Sequence, residues 1–69
     1  MKLSARNVIA GKVVSITEGA VNVEVAIEVA PEIQVVSIIT KQACESLGLK
    51  EGMQAYAAIK ASNVMIAVK

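Results

Sequence analysis

Apolar and polar positions alternate most cleanly between Val21 and Val29. Val21, Val23, Val25, Ile27 and Val29 fall on one side; Asn22, Glu24, Ala26 and Glu28 fall on the other. A two-residue period over that length predicts a half-buried strand. Ala30-Pro31-Glu32 ends it, because proline has no N–H to give to a ladder. Upstream, Asn7 to Thr17 carries Val and Ile on both faces and predicts a buried first strand. Gly11 inside it predicts a bulge or bend, and Glu18-Gly19 predicts a turn.

Downstream, Ile33 to Ile39 predicts a third strand, with Val36 and Ile38 facing one way and Val35 and Ile39 the other. Thr40 is placed to cap a short helix running to about Leu47. Gly48 stands where a left-handed residue is wanted, and Leu49 can fold back onto the helix. Lys50-Glu51-Gly52 predicts another turn. Met53 to Lys60 predicts a fourth strand, with Met53, Ala55, Ala57 and Ile59 on one face. Val64 to Val68 predicts a short fifth strand after a Ser62-Asn63 turn. Three strands, a short helix and two strands is the element order of an all-β, OB-fold-like barrel of five strands in Greek-key order. An open sheet of the same strands is the rival, and it would leave its edges bare.

Composition adds a constraint. A chain of 69 residues predicts one domain, spanning 1–69, and a small one that buries a limited share of its surface. One cysteine, Cys44, and no histidine remove the usual disulfide and zinc staples. Yet 55% of the residues are apolar, mostly Val, Ile and Ala, with Tyr56 the sole aromatic. A domain this small cannot hold so much apolar side chain inside, which points to self-association. The net charge of +1 offers no footprint for a polyanion. No apolar run approaches a membrane span, and Lys2 is followed by no apolar export segment. A lone cysteine without an export signal suits the cytoplasm.

An enzyme is not indicated: the commonest general base is missing and no carboxylate pair stands in an apolar setting. Cys44, among apolar helix neighbours, reads as a packed thiol. Met1, Met53 and Met65 lie at no ligand spacing, and the latter two read as core filling. Donors are another matter. Ser4 and Arg6 are two apart, as are Lys60 and Ser62, so an extended chain would present each pair on one side. Guanidinium and ammonium donate hydrogen bonds and cannot accept them. Two such pairs brought together would hold a small anion; on spacing alone, chance pairs on a solvated surface are the simpler account.

The same residues carry a family resemblance. Ser4-Ala5-Arg6-Asn7 leading into a strand, Ile39-Thr40 closing another, Leu47-Gly48-Leu49 with Gly52, and Ile59-Lys60-Ala61-Ser62 together resemble the molbindin or Mop family. These are small molybdate-binding proteins related to the TOBE domains of molybdate regulators and transporter ATPases. The resemblance covers essentially the whole chain as one Mop domain. It implies storage or buffering of molybdate, or tungstate, inside the cell. It also implies a homo-hexamer, a trimer of dimers, with oxyanion sites between subunits. In such sites Ser4, Ala5 and Arg6 would form one wall, and Thr40, Lys60, Ala61 and Ser62 of a neighbour the other. A second site would lie near Ala20, Val21, Asn22 and Ser37. One departure stands out: relatives often carry serine three residues after the threonine, where this chain has Ala43.

A tetrahedral dianion has only acceptor oxygens near neutral pH, so a pocket of donors suits it. Such a pocket disfavours a phosphate that keeps a proton. The free N–H groups at the start of the helix would add to it. Two other function classes stay open at this point. One is an OB-fold module binding single-stranded nucleic acid, which would need stacked aromatics in a basic groove and has Tyr56 alone. The other is a purely structural oligomerisation domain.

Overall fold

The computed structural model describes residues 3–69; the expectations concerning Met1 and Lys2 fall outside them. Strands β1 (Asn7–Glu18), β2 (Asn22–Ala30) and β3 (Ile33–Thr40) are followed by helix α1 (Lys41–Leu47) and strand β4 (Gln54–Ile59). All pairings are antiparallel, and the order across the sheet is β3-β2-β1-β4. Three strands joined in succession, with the fourth returning beside the first, is the Greek-key order.

β1 organises the sheet because it serves two partners in turn. Its first half pairs with β4, from Asn7↔Ile59 to Lys12↔Gln54. Its second half pairs with β2, from Lys12↔Glu28 to Glu18↔Val23. The handover at Lys12 needs the chain beside it to be thin. A Cβ on Gly11 would meet the Ile27 side chain and lie 2.7 Å from the Glu28 carbonyl oxygen. Gly11 is thus a close-approach glycine. The bulge expected there lies instead at Val14, where the register shifts between Val13 and Ser15. A second shift falls at Val29, between Glu28 and Ala30.

The sheet curls around a small aliphatic core. Val13, Val23, Val25, Ile27 and Ala57 are buried, with Ile16, Val35, Ile39, Leu49 and Ala55 packed against them. Cys44 joins the same cluster as a free thiol. The alternation read in β2 and β3 holds: Val23, Val25 and Ile27 point inward, as do Val35 and Ile39, while Val36 and Ile38 are exposed. Ala26 is buried on the other face, where its ladder neighbours Ser15 and Val36 shield so short a side chain. Helix α1 begins and ends as expected. The Thr40 side chain accepts from the Ala43 N–H at 3.0 Å. Gly48 takes φ 64, and the Leu49 N–H returns to the Cys44 carbonyl at 3.2 Å.

The structure departs from the expected barrel at the C-terminal end. The described residues form four strands, and residues 64–69 belong to none of them. After β4 a 3₁₀ turn, Ala61–Asn63, swings the chain off the ladder, with the Asn63 N–H on the Lys60 carbonyl at 2.8 Å. The β-branched composition of Val64 to Val68 is that of a strand, but a strand needs an edge to pair with, and no edge of the same chain receives it. Met65 is consequently 92% exposed and Val68 93%, so Met65 is not core filling; Met53, at 36%, is at the surface as well. The sheet keeps β3 and β4 as edges. The curl leaves an apolar opening between them, lined by Val25, Ser37, Ile39, Leu49 and Ala55.

Gly11→Ala should be among the costliest single-atom-scale changes in the chain. Overpacking at such a contact costs about 1–3 kcal/mol, and a lower thermal or urea midpoint at unchanged secondary structure is the expected result. A midpoint equal to wild type would show that β2 can yield at the handover.

Candidate oxyanion site

The last rung of the β1–β4 ladder is Asn7↔Ile59. The next residues outward are therefore Arg6 on one strand and Lys60 on the other. A side-chain bond reinforces that rung: Asn7 Nδ2 donates to the Ile59 carbonyl oxygen at 3.2 Å, in a partly buried setting. The segments Ser4-Ala5-Arg6 and Lys60-Ala61-Ser62 thus leave the sheet side by side, in one chain. Ser4, Arg6, Lys60, Ala61 and Ser62 are exposed and Ala5 is half-buried.

What unites the donors differs from the two-residue spacing. Residues 4–6 form bends ahead of β1, and Ala61–Asn63 is a 3₁₀ turn, so no pleat aligns Ser4 with Arg6 or Lys60 with Ser62. Cross-strand adjacency does the work. Two cations then stand at the end of one ladder, where like charges repel unless an anion lies between them. Asn7 was not singled out by its spacing. Its partner lies 52 residues away in sequence, and no local pattern carries that information.

Thr40 lies elsewhere in the chain. It pairs with Asn22 at the start of β2, beside the Gly19 turn that closes β1. Most of β1 and the width of two strands separate it from Lys60. Its hydroxyl oxygen accepts from the Ala43 N–H, which leaves the hydroxyl proton available for a further partner. The helix start is less open than expected, since the Lys41 N–H binds the Val21 carbonyl at 3.3 Å and the Ala43 N–H is capped.

The residues named for a second site are also spread. Ala20, Val21 and Asn22 are exposed at the β1–β2 turn. Ser37 lines the apolar opening on the inner face, opposite to the face that Asn22 shares with its partner Thr40. Among the described residues, no group of three or more His, Cys, Asp or Glu side chains could hold a bare metal ion. Among the described residues, no helix is long and apolar enough to cross a membrane.

Residues 3–66 match the TOBE domain, and the chain belongs to the TOBE domain family. Within it, the similarity runs to small Mop proteins. Molybdenum-pterin-binding protein 3 of Clostridium pasteurianum is 47% identical over 66 residues, which is 96% of this chain and 97% of that protein. The structure of MopII from Clostridium pasteurianum superposes with a TM-score of 0.89 at 42% identity, covering 97% of this chain and all of that one. The cytoplasmic molybdate-binding protein ModG, solved with molybdate bound, gives a TM-score of 0.88 at 48% identity. That match covers 94% of this chain and 46% of ModG, so the chain spans about half of that protein. These relatives are named for binding, none for catalysis.

Thr40→Val removes the helix cap and should destabilise the protein by about 1 kcal/mol, with the extra exchange confined to α1. Amide exchange at Ala43 and Cys44 no faster than in wild type would show that the cap does not hold the helix.

Proposed function

We propose that this chain is a single Mop domain, 1–69, that binds molybdate or tungstate as the intact oxyanion and buffers it in the cytoplasm without catalysing a reaction. The carrying observation is the end of the β1–β4 ladder, where Arg6 and Lys60 are the first residues past the last rung and Ser4 and Ser62 lie two residues further along the same segments. The likeness to MopII and to molybdate-bound ModG supports the choice of ligand. Every side-chain group at this ladder end can donate, and the cations cannot accept, so a fully deprotonated dianion is matched. A ligand that retains a proton finds no acceptor on either cation and is less well matched.

On this reading the site is divided between copies as follows. Ser4, Ala5, Arg6, Lys60, Ala61 and Ser62 form one wall from one chain, and Thr40 of a neighbouring copy, with its remaining hydroxyl proton, forms the other. This moves Lys60 from the neighbour's wall, where the family resemblance had put it, to the wall of Arg6. Thr40 of the same chain is too far along the sheet to take part. A second site using Asn22 and Ser37 likewise needs more than one copy, because the two face opposite sides of the sheet.

Self-assembly, with a hexamer built from dimers as the form adopted, is supported by what the isolated chain leaves bare. Val36 is 57% and Ile38 68% exposed on the outside of β3, and the segment from Val64 to Val68 is apolar and unpaired. Sedimentation at low micromolar concentration should show no folded monomer, and deletion of residues 64–69 should break the assembly. A stable, folded monomer would overturn the oligomeric reading.

Calorimetric titration with molybdate tests the ligand. Wild type should bind at micromolar or tighter affinity, and Lys60→Ala should lose roughly 10- to 100-fold, as expected for a charge-assisted bond. Mixing decides the partition. Assemblies reformed from Lys60→Ala and Thr40→Val chains should regain part of the binding, because some interfaces then combine two undamaged walls. A mixture of Arg6→Ala and Lys60→Ala chains should regain none. The opposite pattern would return Lys60 to the neighbour's wall. Binding of an oligonucleotide in place of molybdate would favour the nucleic-acid module, in which Tyr56, 52% exposed on β4, is the one stacking surface.

A further inference from the structure

We infer that Asn7 is a positioning residue for the oxyanion site: its side-chain amide clamps the last β1–β4 rung and so sets the gap between Arg6 and Lys60. The inference rests on the reading of the ladder end as an oxyanion site and goes beyond it, since Asn7 itself need not touch the ligand. Three observations carry it. The Asn7–Ile59 rung is where the ladder stops, so nothing further out in the backbone pairing holds the two segments. The Nδ2 bond to the Ile59 carbonyl crosses from the strand that carries Arg6 to the strand that carries Lys60, at 3.2 Å. Residues 4–6 are bends and 61–63 a 3₁₀ turn, so both donor segments hang from that rung with no strand structure of their own.

The physical logic is a balance of opposing forces. As like charges at the first positions past the last rung, Arg6 and Lys60 would repel when brought together, and a terminal rung frays more readily than an interior one. The amide adds a second cross-strand bond at the point where repulsion acts. Without it the empty site would splay, and an incoming anion would first have to draw the strands together, at a cost in affinity. Asparagine suits the place because its carboxamide offers an uncharged donor. A carboxylate could not donate to a carbonyl, and a third cation would add to the repulsion.

The test is a double-mutant cycle read by molybdate titration. Asn7→Ala, and Asn7→Leu as a variant of closely similar shape without the donor, should each weaken binding by roughly 3- to 10-fold in otherwise wild-type protein. In a Lys60→Ala background, where no pair of cations remains to be spaced, the same changes should cost less than about twofold. Equal losses in both backgrounds would show a general structural role and overturn the inference. So would wild-type affinity in either Asn7 variant. Wild-type protein that binds no molybdate overturns the functional reading and this inference with it. Normal wild-type binding with indifferent Asn7 variants overturns the inference alone. If neither variant assembles, solvent exchange of the Asn7 side-chain amide in wild-type protein decides: molybdate should slow it, and an unchanged rate refutes the clamp.

Discussion

The antiparallel register between β1 and β4 is the constraint on which the candidate site depends. It is a non-local pairing of a strand near the start of the sequence with one near the end, running from Lys12↔Gln54 outward to Asn7↔Ile59. Because side chains in a ladder alternate strictly, a slip by one residue would turn Ala57 out of the core and disconnect the donor segments. The core contacts of Ala55 and Ala57 therefore fix the site as surely as they fix the sheet. Gly11 belongs to the same constraint, since it lets β2 come close where β1 changes partners.

The strand end is also a reasonable place for a small-anion site on energetic grounds. An exposed cation pair in the interior of a sheet would oppose the pairing that supports it. At the last rung any repulsion would fall on a single terminal pair, and an anion bound as proposed would offset it. Binding free energy and local order would then be linked, and the anion would stabilise the ladder end by mass action. Completing the donor set with Thr40 from another copy would extend the linkage to the assembly. The Thr40 hydroxyl, which accepts from the Ala43 N–H, keeps a proton that it can donate to another partner.

Much of the fold was legible in the chain because it rests on local signals. The period-two pattern of β2, Pro31 at its end, the Thr40 cap and Gly48 at φ 64 each depend on a few adjacent residues. Gly11 was recognised as special, but its reason was a contact with β2 that no local pattern reports. Val64 to Val68 shows the complementary failure. Its composition describes a strand, yet strand formation depends on an available edge, which is a property of the whole assembly and not of the segment. For the site, the donors were legible by residue type, whereas their grouping was not. Spacing suggested Ser4 with Arg6 and Lys60 with Ser62 as separate extended pairs, while the ladder puts Arg6 next to Lys60.

That regrouping changes what Ala43 means. If Arg6 and Lys60 share one wall, the wall contributed by the neighbour is left with Thr40 and the first turn of α1. There the Lys41 and Ala43 N–H groups are already engaged within the chain. A serine at position 43 would double the hydroxyl donors on that wall, where alanine leaves Thr40 alone. The imbalance places most of the donor strength, and both cations, in the segments joined by the Asn7–Ile59 rung. On that proposal the spacing of two strands from one chain would do more to set the fit to the anion than the docking of the second copy.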